Sequence, residues 1–226
     1  MYLDYYYLIL VVPVVIVSLV VQARVNSAYK RFSKVNNLHG ITGAMAAESV
    51  LKYYNISNVQ IEHVHGRMTD HYDPRANAIR LSDGVYGSCS VAAIGIACHE
   101  AGHAAQHALG YKPIKIRNSL LLPCNIGSRA AMPLAILGII FGSQILMNLG
   151  IILFIFIMLF QLVTLPVEFN ASNRAIKVIT ETGMLRADEL SGAKSVLHAA
   201  AMTYVASFAV TAANLARLIL LSNRRR

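Results

Sequence analysis

The 226-residue chain has no tryptophan, 11 acidic residues against 20 lysines and arginines, and three cysteines. Cys89, Cys98 and Cys124 are odd in number and stand at no metal-binding spacing. That excludes a disulfide framework and a cysteine-built zinc site, and leaves them as small buried residues of a reducing compartment. No segment interleaves basic and aromatic residues on a folded face, so the net charge of +9 does not indicate a nucleic-acid partner. Repeats, low-complexity tracts and linkers are also missing, and the chain reads as one membrane-embedded domain over residues 1–226. The largest absence is of charge itself. Residues 130–167 contain no Asp, Glu, Lys or Arg, in a chain that is 56% apolar with a mean hydropathy of +0.51. A soluble domain rarely has this composition.

What is present accounts for it. Residues 5–21 form an uncharged run of about spanning length, read as an uncleaved anchor because Asp4 precedes it and Arg24, Lys30 and Arg31 follow. The uncharged tract is too long for one span and slightly short for two. Extended backwards, it gives a hairpin of residues 119–141 and 145–166 that turns at Gly142-Ser-Gln144 and carries Arg129 inside its first arm. Residues 196–221 are a fourth candidate, either spanning or interfacial. Lys and Arg crowd beside the hairpin's two feet (Lys112, Lys115 and Arg117; Arg174, Lys177 and Arg186) and avoid its tip. The positive-inside rule therefore places residues 22–118 and 168–195 in the cytoplasm of a multi-pass cell-membrane protein, its basic residues attracting lipid heads. A fourth span would put Arg224-Arg-Arg226 outside, against that rule.

The expected fold is mainly α, with about four transmembrane helices and a small cytosolic α+β portion. Ser33 to Tyr54 reads as helix, Val59 to Val64 as a strand, Asp70 to Asn77 as a turn and Ala78 to Ser82 as a second strand. A helix follows over residues 90–109, then Gly110 and Pro113. It contains His99-Glu100-x-x-His103, whose two imidazoles lie one turn apart on one face, the spacing a single zinc ion accepts. Glu100 projects beside them as a base for water. In a helix built from Val91, Ala92, Ala93, Ala97, Ala104 and Ala105, these polar residues are costly unless metal or hydrogen bonds compensate them.

A catalytic zinc site usually takes three protein ligands and leaves one position open. His107 lies eight residues beyond His99, about 12 Å along a straight helix, too far to share the ion. The metzincin pattern fails as well, with Gln106 and Leu109 where that family has Gly and His. His63, His65 and His71 are possible ligands. Glu168 is better placed, a carboxylate emerging directly from the apolar hairpin on the face the chain left. The segment Asn77, Ala78, Ile79, Arg80 and Leu81 is expected to be the edge strand that aligns a substrate backbone by strand addition.

His-Glu-Ala-Gly-His-Ala-x-Gln, a membrane hairpin, then Leu-Pro-Val-Glu-Phe-x-Ala-Ser resembles the bacterial YugP-like neutral zinc metallopeptidases over nearly the whole chain. More distantly it is similar to HtpX and CAAX-prenyl proteases. The resemblance implies a gluzincin-type, zincin-like site holding one zinc ion, with Glu168 as third ligand on a cytosolic helix of residues 167–190. Those relatives have Asp four residues after that Glu, where this chain has Ser172. Serine can hydrogen-bond a ligating imidazole but cannot raise its basicity as a carboxylate does.

The implied function is zinc-dependent hydrolysis of membrane or misfolded proteins and peptides at the cytoplasmic face. A site-2-type intramembrane protease would need an Asp within a later span, and every Asp lies outside the spans. A catalytically silent scaffold or metal-binding protein is the alternative from another class. Oligomeric state is not legible.

Overall fold

The computed structural model describes residues 4–223. A π-helical turn, Tyr7–Val11, leads into α1 (Val12–Phe32). Then come α2 (Gly43–Tyr53), β1 (Gln60–His63), β2 (His71–Asp73), β3 (Ala78–Leu81) and α3 (Val91–Ala108). Three long helices complete the chain: α4 (Lys112–Phe141), α5 (Gln144–Thr182) and α6 (Ala187–Asn223). Among the described residues, four helices are long and apolar enough to cross a membrane: Tyr7–Phe32, α4, α5 and α6. The protein is mainly helical, with one small sheet.

The chain forms two compact units, and each of the four long helices contributes residues to both. One unit holds residues 23–114 and 167–201. Its core joins Ala47, Val50 and Leu51 of α2, Ile79 and Leu81 of β3, Ile94, Ala97 and Ala101 of α3, and Val178 and Ile179 of α5. The helix expected over Ser33 to Tyr54 does not form as one element. The Asn37 side chain donates to the carbonyls of Ile41 and Cys89 and accepts from the Ile41 N–H, offering the backbone an alternative to helix. The Thr42 hydroxyl then caps α2 by accepting from the Met45 N–H at 3.3 Å.

The sheet has the order β1-β3-β2, with β1 parallel and β2 antiparallel to β3. This overturns the reading of Asn77–Leu81 as an edge strand. Asn77 sits in a turn with φ 52°, and Ala78, Ile79, Arg80 and Leu81 are the central strand, paired on both sides. The outer strand beside α3 is β2, within the stretch read as a turn. It is held there by a tertiary contact invisible to local pattern. Arg80 reaches across all three strands, bonding Glu62 at 2.9 Å and Asp73 at 2.7 Å.

The other unit holds residues 4–22, Lys115–Pro166 and residues 202–223. Ala131, Ala135, Met147, Phe154, Leu215 and Leu218 form its core, while many large apolar side chains on the same helices, such as Leu122, Ile126, Ile140 and Phe156, face outward. The hairpin turns at Gly142, whose φ of 64° suits a residue without Cβ. Gln144 at that tip donates to the Ser222 hydroxyl at 2.6 Å, and Arg217 bonds the Asp4 carboxylate at 2.6 Å. The end of α6, the hairpin tip and the start of the first helix thus lie together. Arg224–Arg226, whose charge argued against a fourth crossing, fall outside the described residues. The stretch 167–190 is not one helix either: α5 ends at Thr182, the chain turns at Gly183 with φ 64°, and α6 starts at Ala187.

Candidate metal centre

Helix α3 begins at Ser90, whose hydroxyl accepts from the Ala93 N–H at 3.2 Å. Its faces are lined by Ala and Gly, so neighbouring elements approach closely. Gly102 is the tightest point: a Cβ there would stand 2.7 Å from the Ala171 carbonyl oxygen of α5. The missing side chain lets α5 lie against the helix turn that carries His99 and His103, which brings Glu168 over them.

The two imidazoles are 4.7 Å apart between ring centroids. The Glu168 Oε2 atom lies 3.3 Å from His99 Nε2 and 3.6 Å from His103 Nε2. One donor atom from each of the three residues falls within 4.8 Å of the others, a group able to hold a metal ion. Glu168 is 2% exposed, a burial that a carboxylate tolerates only beside positive charge. Burial opposes a charge on the His103 imidazole, but the Glu168 hydrogen bond and the Glu100 and Glu168 charges outweigh it and raise its pKa. Two imidazole nitrogens and one carboxylate oxygen are a donor set that suits zinc.

Each imidazole is steered through its other nitrogen. His99 Nδ1 lies 3.1 Å from the Ser172 hydroxyl. His103 Nδ1 lies 3.0 Å from Gln106 Oε1, and the Gln106 amide nitrogen donates to the Val167 carbonyl at 2.7 Å and to Asn170 Oδ1 at 3.0 Å. With that NH2 group engaged, Oε1 must accept from His103. Nδ1 therefore carries a proton whatever the state of Nε2, which leaves Nε2 as the atom a cation would take in place of a proton. Gln106 is fully buried and ties α3 to the turn of α5 that bears Glu168. In the sequence it stood only where metzincins have glycine and as the last residue of the motif that carries the resemblance, with no role of its own. Its place in the helix, one turn after His103 on the packed face, is the signal that was available.

Glu100 accepts a hydrogen bond from the Tyr72 N–H of β2 at 3.0 Å. This outward N–H marks the side of β2 that β3 leaves free. His107 is exposed, with its ring against that of Tyr72. Arg174 donates to Asn170 Oδ1 at 2.8 Å and covers the Tyr54 ring, so it supports the α5 network and does not face the three donor atoms. Cys98 points the other way, into the core, with its thiol toward the Ala46 carbonyl; burial pushes its pKa up. His63 and His65 gather with Asp83, and His71 bonds the Thr69 carbonyl, so none of these three joins His99 and His103.

Paired imidazoles, a buried carboxylate and a second glutamate outside that donor set, in a chain of apolar helices, define the class of membrane zinc metallopeptidases. The chain belongs to the family described as "putative neutral zinc metallopeptidase", whose family model matches residues 7–223. It is similar to "Putative membrane protease YugP" of Bacillus subtilis (strain 168), with 42% identity over 200 residues that cover 88% of this chain and 89% of that protein. No solved structure matches it.

Proposed function

We propose that this protein is an integral-membrane, zinc-dependent endopeptidase acting on membrane or misfolded proteins at the cytoplasmic face. The observation that carries this reading is the convergence of His99 Nε2, His103 Nε2 and Glu168 Oε2, with the Glu100 carboxylate beside them and outside that set. His99, His103 and Glu168 would hold the ion. When bound, zinc supplies Lewis acidity toward a peptide carbonyl and makes water easier to deprotonate.

The remaining chemistry belongs to the chain. Glu100 takes a proton from the attacking water and returns it to the leaving amine. The Tyr72 N–H holds one oxygen of that carboxylate. β2 takes over the substrate-aligning role first expected of Asn77–Leu81, because its free side faces α3 and an extended peptide can add there as a further strand. The region around this centre is read as the zincin-like cytosolic portion. Support for that orientation comes from the Lys and Arg residues at both feet of the hairpin and their absence at its tip.

The decisive test is Glu100→Gln, assayed on casein in mild detergent with zinc and with a chelator. General-base contributions are about a hundredfold to ten-thousandfold, so cleavage should fall by about that factor while zinc content stays at the parent level. Equal cleavage by variant and parent would sink the peptidase reading.

A further inference from the structure

Of the histidines outside the catalytic centre, His63 and His65 stand together. His63 ends β1, and His65 follows two residues later in the bend after it, the two rings 5.3 Å apart between centroids. β1 pairs in parallel with β3 so that His63 stands opposite Leu81, and the Val64 N–H still donates to the Leu81 carbonyl at 2.9 Å, which keeps the bend at His65 beside the turn at Asp83. The side chains of all three residues meet there. His63 Nε2 lies 2.8 Å and His65 Nδ1 3.3 Å from the same oxygen, Asp83 Oδ1. One donor atom from each residue falls within 4.8 Å of the others. The second carboxylate oxygen is fixed separately, accepting the Gly66 N–H at 3.0 Å.

We propose that His63, His65 and Asp83 form a second divalent-cation site, distinct from the centre at His99, His103 and Glu168. Two imidazole nitrogens and a carboxylate oxygen suit zinc or a similar borderline cation, and the exposure of all three residues leaves further positions to water. Oδ1 is now shared by two imidazoles, so small side-chain rotations that open these contacts to ligand spacing would admit an ion without moving the strands. The ion would join the end of β1 to the residue two beyond β3. It would thereby brace the loop from Val64 to Asp70, already tied at its far end by Asp70 to the Ser82 N–H and hydroxyl at 2.7 and 2.9 Å. That loop leads directly into β2, whose Tyr72 holds Glu100. The site therefore serves as a metal brace on the loop before the edge strand.

The test is zinc stoichiometry on the full-length, tag-free protein in detergent, titrated with zinc against a metal-indicator dye. The parent should bind two ions. His63→Ala and Asp83→Asn should each bind one, the latter still offering an oxygen to the Gly66 N–H. A His99→Ala, His103→Ala double variant should also retain one ion, lost when His63→Ala is added. Trypsin cleavage after Arg67, in the braced loop, should slow with zinc in the parent but not in Asp83→Asn. Overturning results are a single parent ion insensitive to His63→Ala, or two ions that survive both His63→Ala and Asp83→Asn. A single ion lost only with His63→Ala would sustain this site and count against the catalytic centre instead.

Discussion

Gln106 illustrates how one buried amide fixes the chemistry of a neighbour. It accepts from His103 Nδ1 and donates to two oxygens on α5, so it selects an imidazole tautomer and positions the helix that brings Glu168. Partners of this kind typically contribute about tenfold to a hundredfold to metal affinity. Gln106→Leu, of similar volume, should weaken zinc binding by about that factor, measured by competition with a chelating dye. Unchanged affinity would reduce Gln106 to a packing residue. Glu168→Ala sets the reference: it should lose most of its zinc, whereas Glu181→Ala, a surface carboxylate bonded to the Tyr53 hydroxyl, should keep it.

At the scale of elements, the centre depends on how closely α3 and α5 approach. Gly102 lies beside His103 in sequence, and a methyl group there meets backbone, which cannot rotate away. Gly102→Ala should separate the helices and cost about 1–3 kcal/mol, as overpacking generally does. Zinc affinity should fall together with thermal stability. Gly87→Ala, where an added Cβ meets nothing within 4 Å, is the matched control. A Gly102→Ala protein with parental melting temperature and zinc affinity would show that the close approach is not needed. The strands teach a related lesson. β3 is more apolar and more regular than β2, yet it is β2, with His71, Tyr72 and Asp73, that presents the free side to α3.

For the whole molecule, the contacts within the membrane-helix unit make a statement about topology. Gln144 with Ser222, and Arg217 with Asp4, set the hairpin tip beside the ends of α6 and of the first helix. If the Lys and Arg residues at the hairpin's feet mark the cytoplasm, all three belong to the opposite face. Single cysteines at Ser143 and Asn223, in a background lacking Cys89, Cys98 and Cys124, should react with a membrane-impermeant maleimide on intact cells. One at Asn58 should react only after lysis. Labelling of Asn223 with Asn58, and apart from Ser143, would show that α6 does not cross; full reversal would put the metal centre outside.

Sequence alone determined the features that rest on local chemistry. The spacing of His99 and His103 follows from helix periodicity, the four apolar helices from long runs poor in charge, and the choice of Glu168 from a carboxylate placed where an apolar run ends. The resemblance then joined those residues into one implied site. Strand order, by contrast, was decided only in three dimensions, because β2 carries no alternating pattern and is held by Arg80 and by Glu100 from other elements. The same holds for Gln106 and Asp83. Each is an ordinary polar residue in one dimension, and each acquires its role from a partner distant in the chain, brought near by helix contact or strand register.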